Sequence, residues 1–257
     1  MKFKIPFFTA LGVMALSAAA TSAEAGPMLA EEAMITPAPS TMGGNISVGY
    51  DSSYIFRGVN YGKNSIWGSV EASLPFTPEG VDFTVSAWYQ NPVDSVAANP
   101  LNEDELDLYA TLTVEVAPDA SVWLGYAAFL YPEAGGGNTN EVGLGTDVAI
   151  GGGLVDFSFG SYYDFDINGW FFETGMAHTE QITDMFGVEI GTSIGYQVDY
   201  NSFGSDWNDV RAYLAVPITL VENVALTPYV AYSWSLSAID AFQGDELYGG
   251  VALSVSF

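Results

Sequence analysis

Along most of the chain, apolar residues fall on every second position. The last stretch is the clearest case. Leu247, Gly249, Val251, Leu253, Val255 and Phe257 share one parity, and Gly250, Ala252, Ser254 and Ser256 share the other. Side chains alternate faces in an extended strand, so one face here is apolar and the other small or polar. The same alternation begins at Ile46, Val48, Tyr50, Tyr54 and Phe56 and recurs in Val81, Phe83, Val85, Ala87 and Tyr89. It runs longest from Phe186 through Ile190 and Ile194 to Tyr200. About twelve such segments, each about ten residues long, follow one another with turn formers between them. A helical period is nearly absent, so the chain reads as all-β.

The connections alternate as well. Short ones are expected at 75–80, 117–120, 151–153, 178–184 and 219–223. Mostly longer ones are expected at 58–64, 91–103, 132–140, 164–168, 201–206 and 235–246. Short turns on one side and longer loops on the other are the habit of membrane barrels. The pattern predicts a transmembrane antiparallel up-and-down β-barrel of about twelve strands over residues 45–257. An even strand count puts both termini on the short-turn, periplasmic side. A soluble lipocalin-like barrel or sandwich would also alternate. It would not leave one apolar face on every strand, with aromatics crowding the strand ends.

Composition adds a location. Lys2 and Lys4, then the apolar run Ile5–Ala20, then Ala23-Glu-Ala25 form a signal peptide over 1–25. Residues 26–44, rich in Pro, Ala, Met and Glu, read as a flexible periplasmic lead-in. There is no cysteine, and hence neither a disulfide nor a lipid-anchored cysteine. No segment after the signal has the ~18 consecutive apolar residues of a membrane helix. Five Lys and Arg face 31 Asp and Glu, and Lys2 and Lys4 leave with the signal. Such a chain lacks the basic patch that neutralises nucleic-acid phosphates.

The polar parity carries the charge. It holds Asp51, Glu71, Asp82, Asp107, Glu115, Asp147, Asp156, Glu173, Glu189 and Asp209, opposed by Arg211 and Arg57. A charge on the lipid face costs ~2–4 kcal/mol near the midplane, so these residues are expected to line the lumen. Rings of carboxylates favour cations. The expected function is therefore passive diffusion of small hydrophilic solutes, with cations preferred. The alternative is a structural or adhesive barrel whose lumen is filled by inward aromatics, namely Trp67, Trp88, Trp123, Tyr109 and Tyr213. Asp147 and Asp156 flank the Gly151–Gly153 turn and are expected nearly opposite one another, either as a solvated pair or around a divalent ion. Asp94 and Asn102-Glu-Asp-Glu105 make one outer loop acidic, which suits a solvated loop, cation capture or divalent bridging to lipopolysaccharide. Arg211 either crosses the lumen to opposing carboxylates or balances charge locally. His178, the single histidine, is expected in a short turn, without the partners of a Ser–His hydrolase. No metal-ligand spacing and no phosphate loop occurs, so no cofactor is expected.

Two resemblances sharpen this reading. Ser53-Tyr-Ile-Phe-Arg-Gly-Val-Asn-Tyr-Gly62 resembles the opening of the TorF-type porin family, whose members begin on an aromatic-x-Phe-Arg-Gly motif. Tyr54, Phe56, Arg57 and Gly58 match it. Trp67-Gly-Ser-Val-Glu71 and Leu226-Thr-Pro-Tyr-Val230 are also similar to the family. The resemblance implies a pore-forming outer-membrane barrel and names no substrate. Within it, Arg57 ends a strand and is expected to pair with Asp51 or a loop carboxylate, anchoring the loop. The closing Phe257 is similar to the signal by which outer-membrane barrels are handed to their assembly machinery. The expected partners are thus outer-membrane lipids, that machinery and small hydrophilic or cationic solutes.

Overall fold

The computed structural model describes residues 43–257, except 76, 100–102, 133–136 and 202–203. The expected signal peptide and nearly all of the lead-in lie outside the described residues. Thirteen strands run β1 (Gly43–Phe56), β2 (Val59–Ser73), β3 (Val81–Asp94), β4 (Glu105–Ala117), β5 (Ala120–Leu130), β6 (Thr139–Ile150), β7 (Val155–Asp164), β8 (Gly169–Gln181), β9 (Gly187–Val198), β10 (Asp206–Ala215), β11 (Ile218–Val221), β12 (Val224–Ser235) and β13 (Glu246–Ser256). Consecutive strands pair antiparallel, except that β10 and β11 both pair with β12 and not with each other, and β13 returns to β1 from Asn45↔Ser256 to Asp51↔Gly250.

Two of these elements form one wall strand. Both β10 and β11 pair with β12, and Pro217, which lacks an N–H, interrupts the ladder between them. The flanking bonds hold across the gap. Gly187 N–H donates to Pro217 O, Val216 N–H to Pro228 O, both at 3.0 Å, and Thr219 N–H to Met185 O at 2.7 Å. The result is a closed barrel of twelve wall strands, as the alternation predicts. Closure removes the open sheet edge that lipid does not tolerate.

The apolar parity points outward. Ile66, Leu144 and Ile190 are 59%, 57% and 52% exposed, and Ile46, Val70, Leu124, Met176 and Val230 share that exposure around the wall. An apolar belt encircling a closed barrel belongs in hydrocarbon rather than in water. Toward the long-connection end the belt ends in aromatics whose hydroxyls meet polar groups. Tyr50 donates to Asn64 and Tyr126 to Asn140, both at 2.6 Å, and Tyr163 donates to Asn168 at 2.5 Å. These are the amphipathic residues of a membrane interface.

Several boundaries differ from the sequence reading. The short connections after β8 and after β11 are only 182–186 and 222–223, so His178 lies within β8 and 219–221 within the wall. The expected loop at 58–64 is a strand. Only Arg57 and Gly58 form the turn, at φ 48° and 75°. Positive φ at both turn positions gives the twist that a two-residue hairpin needs. A further difference concerns where that hairpin goes.

Candidate functional site

Beyond Asp51, β1 leaves β13, and below Lys63, β2 leaves β3. From Ser53↔Lys63 to the tip, the two arms pair only along the hairpin itself, on the β1 side from Ser53 and on the β2 side from Gly62, with a register shift between Tyr54 and Ile55. The tip of the first hairpin therefore departs from the wall and folds into the lumen. Every residue from Ser53 to Asn60 is buried. Tyr54 and Phe56 are 1% and 8% exposed, so their expected place on the lipid face is wrong. Tyr54 packs on Trp88, and Phe56 packs on Phe129, at ring-centroid separations of 5.4 and 5.7 Å. Ile55 is buried too, on the opposite face against Tyr229 and Tyr248, so both faces of the inserted hairpin lie inside the barrel. The uninterrupted apolar run Tyr54-Ile-Phe56 is the sequence signal that alternation had already stopped.

Arg57, at the tip, is 4% exposed. Its guanidinium makes a two-pronged ion pair with Glu141 of β6, at 2.6 and 2.8 Å. This is the fork geometry that Arg offers a carboxylate. Four rings surround it: Phe56, Tyr162, Phe171 and Tyr200, with centroids 4.5–4.8 Å from Cζ. Tyr200 also donates to Glu141 at 3.1 Å, and Asn208 Nδ2 donates to Arg57 O. The expected partner Asp51 is not the one used. Glu141 was absent from the sequence-derived set because the chain gives no hint that the hairpin crosses the bore. Tyr200, read as the outward end of a strand, also faces in.

The connection from β12 to β13 seals the tip from above. Gln243 accepts from Asn60 N–H at 2.7 Å and donates to Gly58 O at 2.6 Å. Ile239 and Ala238 pack on Val59. Thus one end of the lumen holds a hairpin, its arginine and a covering loop.

The carboxylates divide by partner. Asp51, Asp107, Asp147, Glu189 and Asp209 are buried inside the barrel. Glu71, Asp82, Asp156 and Glu173 are half-buried, and Glu115 is exposed at the short-turn rim. Tyrosine hydroxyls serve several of them: Tyr229 donates to Asp51, Tyr109 to Asp107 and Tyr213 to Glu189, each at 2.7 Å. Glu105, expected in an acidic loop, instead begins β4 and accepts from Tyr54 at 2.8 Å and Tyr131 at 3.2 Å. Asp94 and Asp104 do lie at the loop end, where Asn64 and Asn91 donate to them. Arg211 sits between Asp209 of its own strand, 2.7 Å away, and Glu173 of β8. Asp147 pairs in register with Ser158 and Asp156 with Ala149. The two aspartates are thus diagonal neighbours on adjacent strands. Among the described residues, no group of three or more His, Cys, Asp or Glu is placed to hold a metal ion.

The inward aromatics lie flat along the wall. Trp67 faces Gly49, Trp123 faces Gly145 and Tyr213 faces Gly191, each directly across one strand pair. A Cβ at any of these glycines would collide with the facing ring. Trp123 and Tyr162 stack over the glycines of β6, with centroids 5.8 Å apart. Below the hairpin these rings wall a cavity of about 60 Å³, lined also by Asp147, Ser158, Glu173, Arg211 and Tyr213.

No family model matches the sequence, and no curated protein matches it. Solved structures with the same architecture do. The KdgM porin is 10% identical, with a TM-score of 0.53 over 83% of this chain and 99% of the porin. An outer-membrane channel from Pseudomonas putida F1 is 8% identical, with a TM-score of 0.56 over 84% of this chain and 95% of the channel. The translocator domain of the autotransporter NalP from Neisseria meningitidis is 12% identical, with a TM-score of 0.55 over 97% of this chain and 99% of the domain. The fold shared with them is the bacterial outer-membrane barrel.

Proposed function

We propose that this chain is a porin-like channel of the bacterial outer membrane, with a cation preference and a bore narrowed by its own first hairpin. The observation that carries the reading is the charge of the lining. The cations Arg57 and Arg211 are already paired, whereas Asp51, Asp107, Asp147, Asp156 and Glu189 have no arginine beside them. Unmatched carboxylates along a bore attract cations and repel anions. Outer-membrane neighbours described as porins and channels support the channel part. The TorF-type family fits the same reading, and its motif residues Tyr54, Phe56, Arg57 and Gly58 are those of the inward hairpin. In this orientation the long connections face outward and both termini face the periplasm. Membrane lipids surround the apolar belt, and the assembly machinery reads the strand ending at Phe257.

The test is a planar bilayer under a salt gradient. We expect a small conductance, since twelve strands enclose less than the 16–18 of large porins, and a reversal potential of cationic sign. Anion preference would overturn the selectivity. A second reading, a structural barrel with a filled lumen, is favoured by the packing of Tyr54, Phe56, Trp88 and Phe129 across the bore. Absence of conductance from folded protein, with no solute-driven swelling of liposomes, would replace the channel by that reading.

A further inference from the structure

The cavity under the hairpin has chemistry that the lining as a whole does not. Asp147 is 3% exposed, and its Oδ1 has no hydrogen-bond partner. Unlike Asp51, Asp107 and Glu189, it receives no tyrosine hydroxyl. An ionised carboxylate is costly to bury without a partner, so the site is incomplete as built. The wall beside it is aromatic. Trp123 and Tyr162 stack with an interplanar angle of 28°, and both line the same space as Asp147. The third charged group, Arg211, is occupied by Glu173 and Asp209. Its charge is therefore more than cancelled, and the cavity keeps a net negative balance.

We infer that this cavity is a binding site for a small organic monocation of the primary-ammonium class, held between the Asp147 carboxylate and the faces of Trp123 and Tyr162. Three features select that class. A lone carboxylate oxygen accepts one strong hydrogen bond from an N–H of a cation. Aromatic faces attract a cation through their quadrupole and tolerate its methyl or methylene groups, which a bare metal ion does not offer. The volume of about 60 Å³ has room for only a few water molecules, and so for a ligand of a few heavy atoms. A divalent metal needs several oxygen ligands at once, and the described residues do not group that way here. The site names a solute class for the channel reading and rests on that reading for access to the lumen.

The probe is methylammonium, titrated into the refolded barrel at constant ionic strength against sodium, with methanol as the neutral control. The readout is the indole N–H resonance of Trp123, assigned by its loss in Trp123→Phe. We expect a saturable shift with methylammonium and none with methanol or sodium. Asp147→Asn should weaken binding at least tenfold, and Asp119→Asn, in the exposed β4–β5 turn, should leave it unchanged. An equal response to sodium, or undiminished binding in folded Asp147→Asn, overturns the site. If that variant does not refold, the wild-type comparison of methylammonium with sodium and methanol decides alone. Bilayer recordings separate this from the broader proposal. Binding without any conductance leaves the site standing and removes the channel. Cationic conductance with no methylammonium response removes the site and leaves the channel.

Discussion

The two lumen arginines sit in opposite settings. Arg57 is held by one carboxylate and four rings, on a hairpin that has left the wall. Arg211 is held by two carboxylates, on a strand that remains in it. Both are buried, at 4% exposure each, yet only Arg57 ties an inserted segment to the wall. Its ion pair to Glu141 spans from the first hairpin to the middle of the chain. The difference shows that burial of a charge does not by itself tell what the charge does. A paired arginine within the wall keeps neighbouring strands neutral, whereas a paired arginine on an inserted segment decides whether the segment stays.

Arg57→Ala should therefore have the largest effect. It leaves Glu141 buried without its cation, which costs about 3–5 kcal/mol, and removes the fork that ties the hairpin to β6. We expect a fall of that size in denaturant stability in detergent and, where the channel reading holds, a clear rise in single-channel conductance. Arg211→Ala should cost a similar amount or somewhat less, because half-buried Glu173 can be reached by water. Its conductance should stay near wild type while cation preference grows. If the two variants change conductance alike, the hairpin is not what narrows the bore.

The lower lumen offers a smaller test of the same contrast. Gly145→Ala places a methyl where the Trp123 ring lies. Overpacking of this kind costs about 1–3 kcal/mol, and the displaced indole should intrude on the cavity. Near-ultraviolet circular dichroism and the Trp123 resonance would both report it. Tyr229→Phe, which strips Asp51 of its hydroxyl donor, should cost about 1–3 kcal/mol for a buried acceptor left unmatched, read as a lower denaturation midpoint.

Much of this was legible in the sequence, for physical reasons. Period-two alternation is a direct consequence of strand geometry, so it yielded the wall strands, the lipid face and the inward parity of Trp67, Trp88, Trp123 and Tyr109. It failed where the chain stopped being wall. Tyr54 and Phe56 keep the parity of Ile46 and Val48, but the hairpin has left the wall there and both of its faces are packed inside. Pairings across the bore, such as Arg57 with Glu141 and Tyr54 with Glu105, depend on how far a hairpin bends, which no local pattern records. The positions of the glycines carry information of another kind: Gly49, Gly145 and Gly191 mark where a ring on the next strand lies flat.

The smallest expected effect on stability, and the most informative separation, is at Phe257. Its main chain exchanges two bonds with Gly44, both at 3.0 Å, continuing the seam between β13 and β1. Its ring rests over Gly44 and is 60% exposed. It has the parity of Val251, Leu253 and Val255, and so lies on the lipid face. Phe257→Ala keeps the backbone bonds and removes only a ring that faces the bilayer, so the loss should be about 1 kcal/mol. The Asp51↔Gly250 pairing and the rest of the seam remain. In cells the outcome should be different if the residue is read by the assembly machinery, because recognition depends on the ring and not on the seam. The measurement is the fraction of heat-modifiable, folded barrel in cell envelopes, set against refolding yield of the same variant in detergent. A severe loss in cells with normal refolding assigns Phe257 to assembly. Equal and small losses in both would make it one interfacial aromatic among several, and equal and large losses would place it in the structural seam.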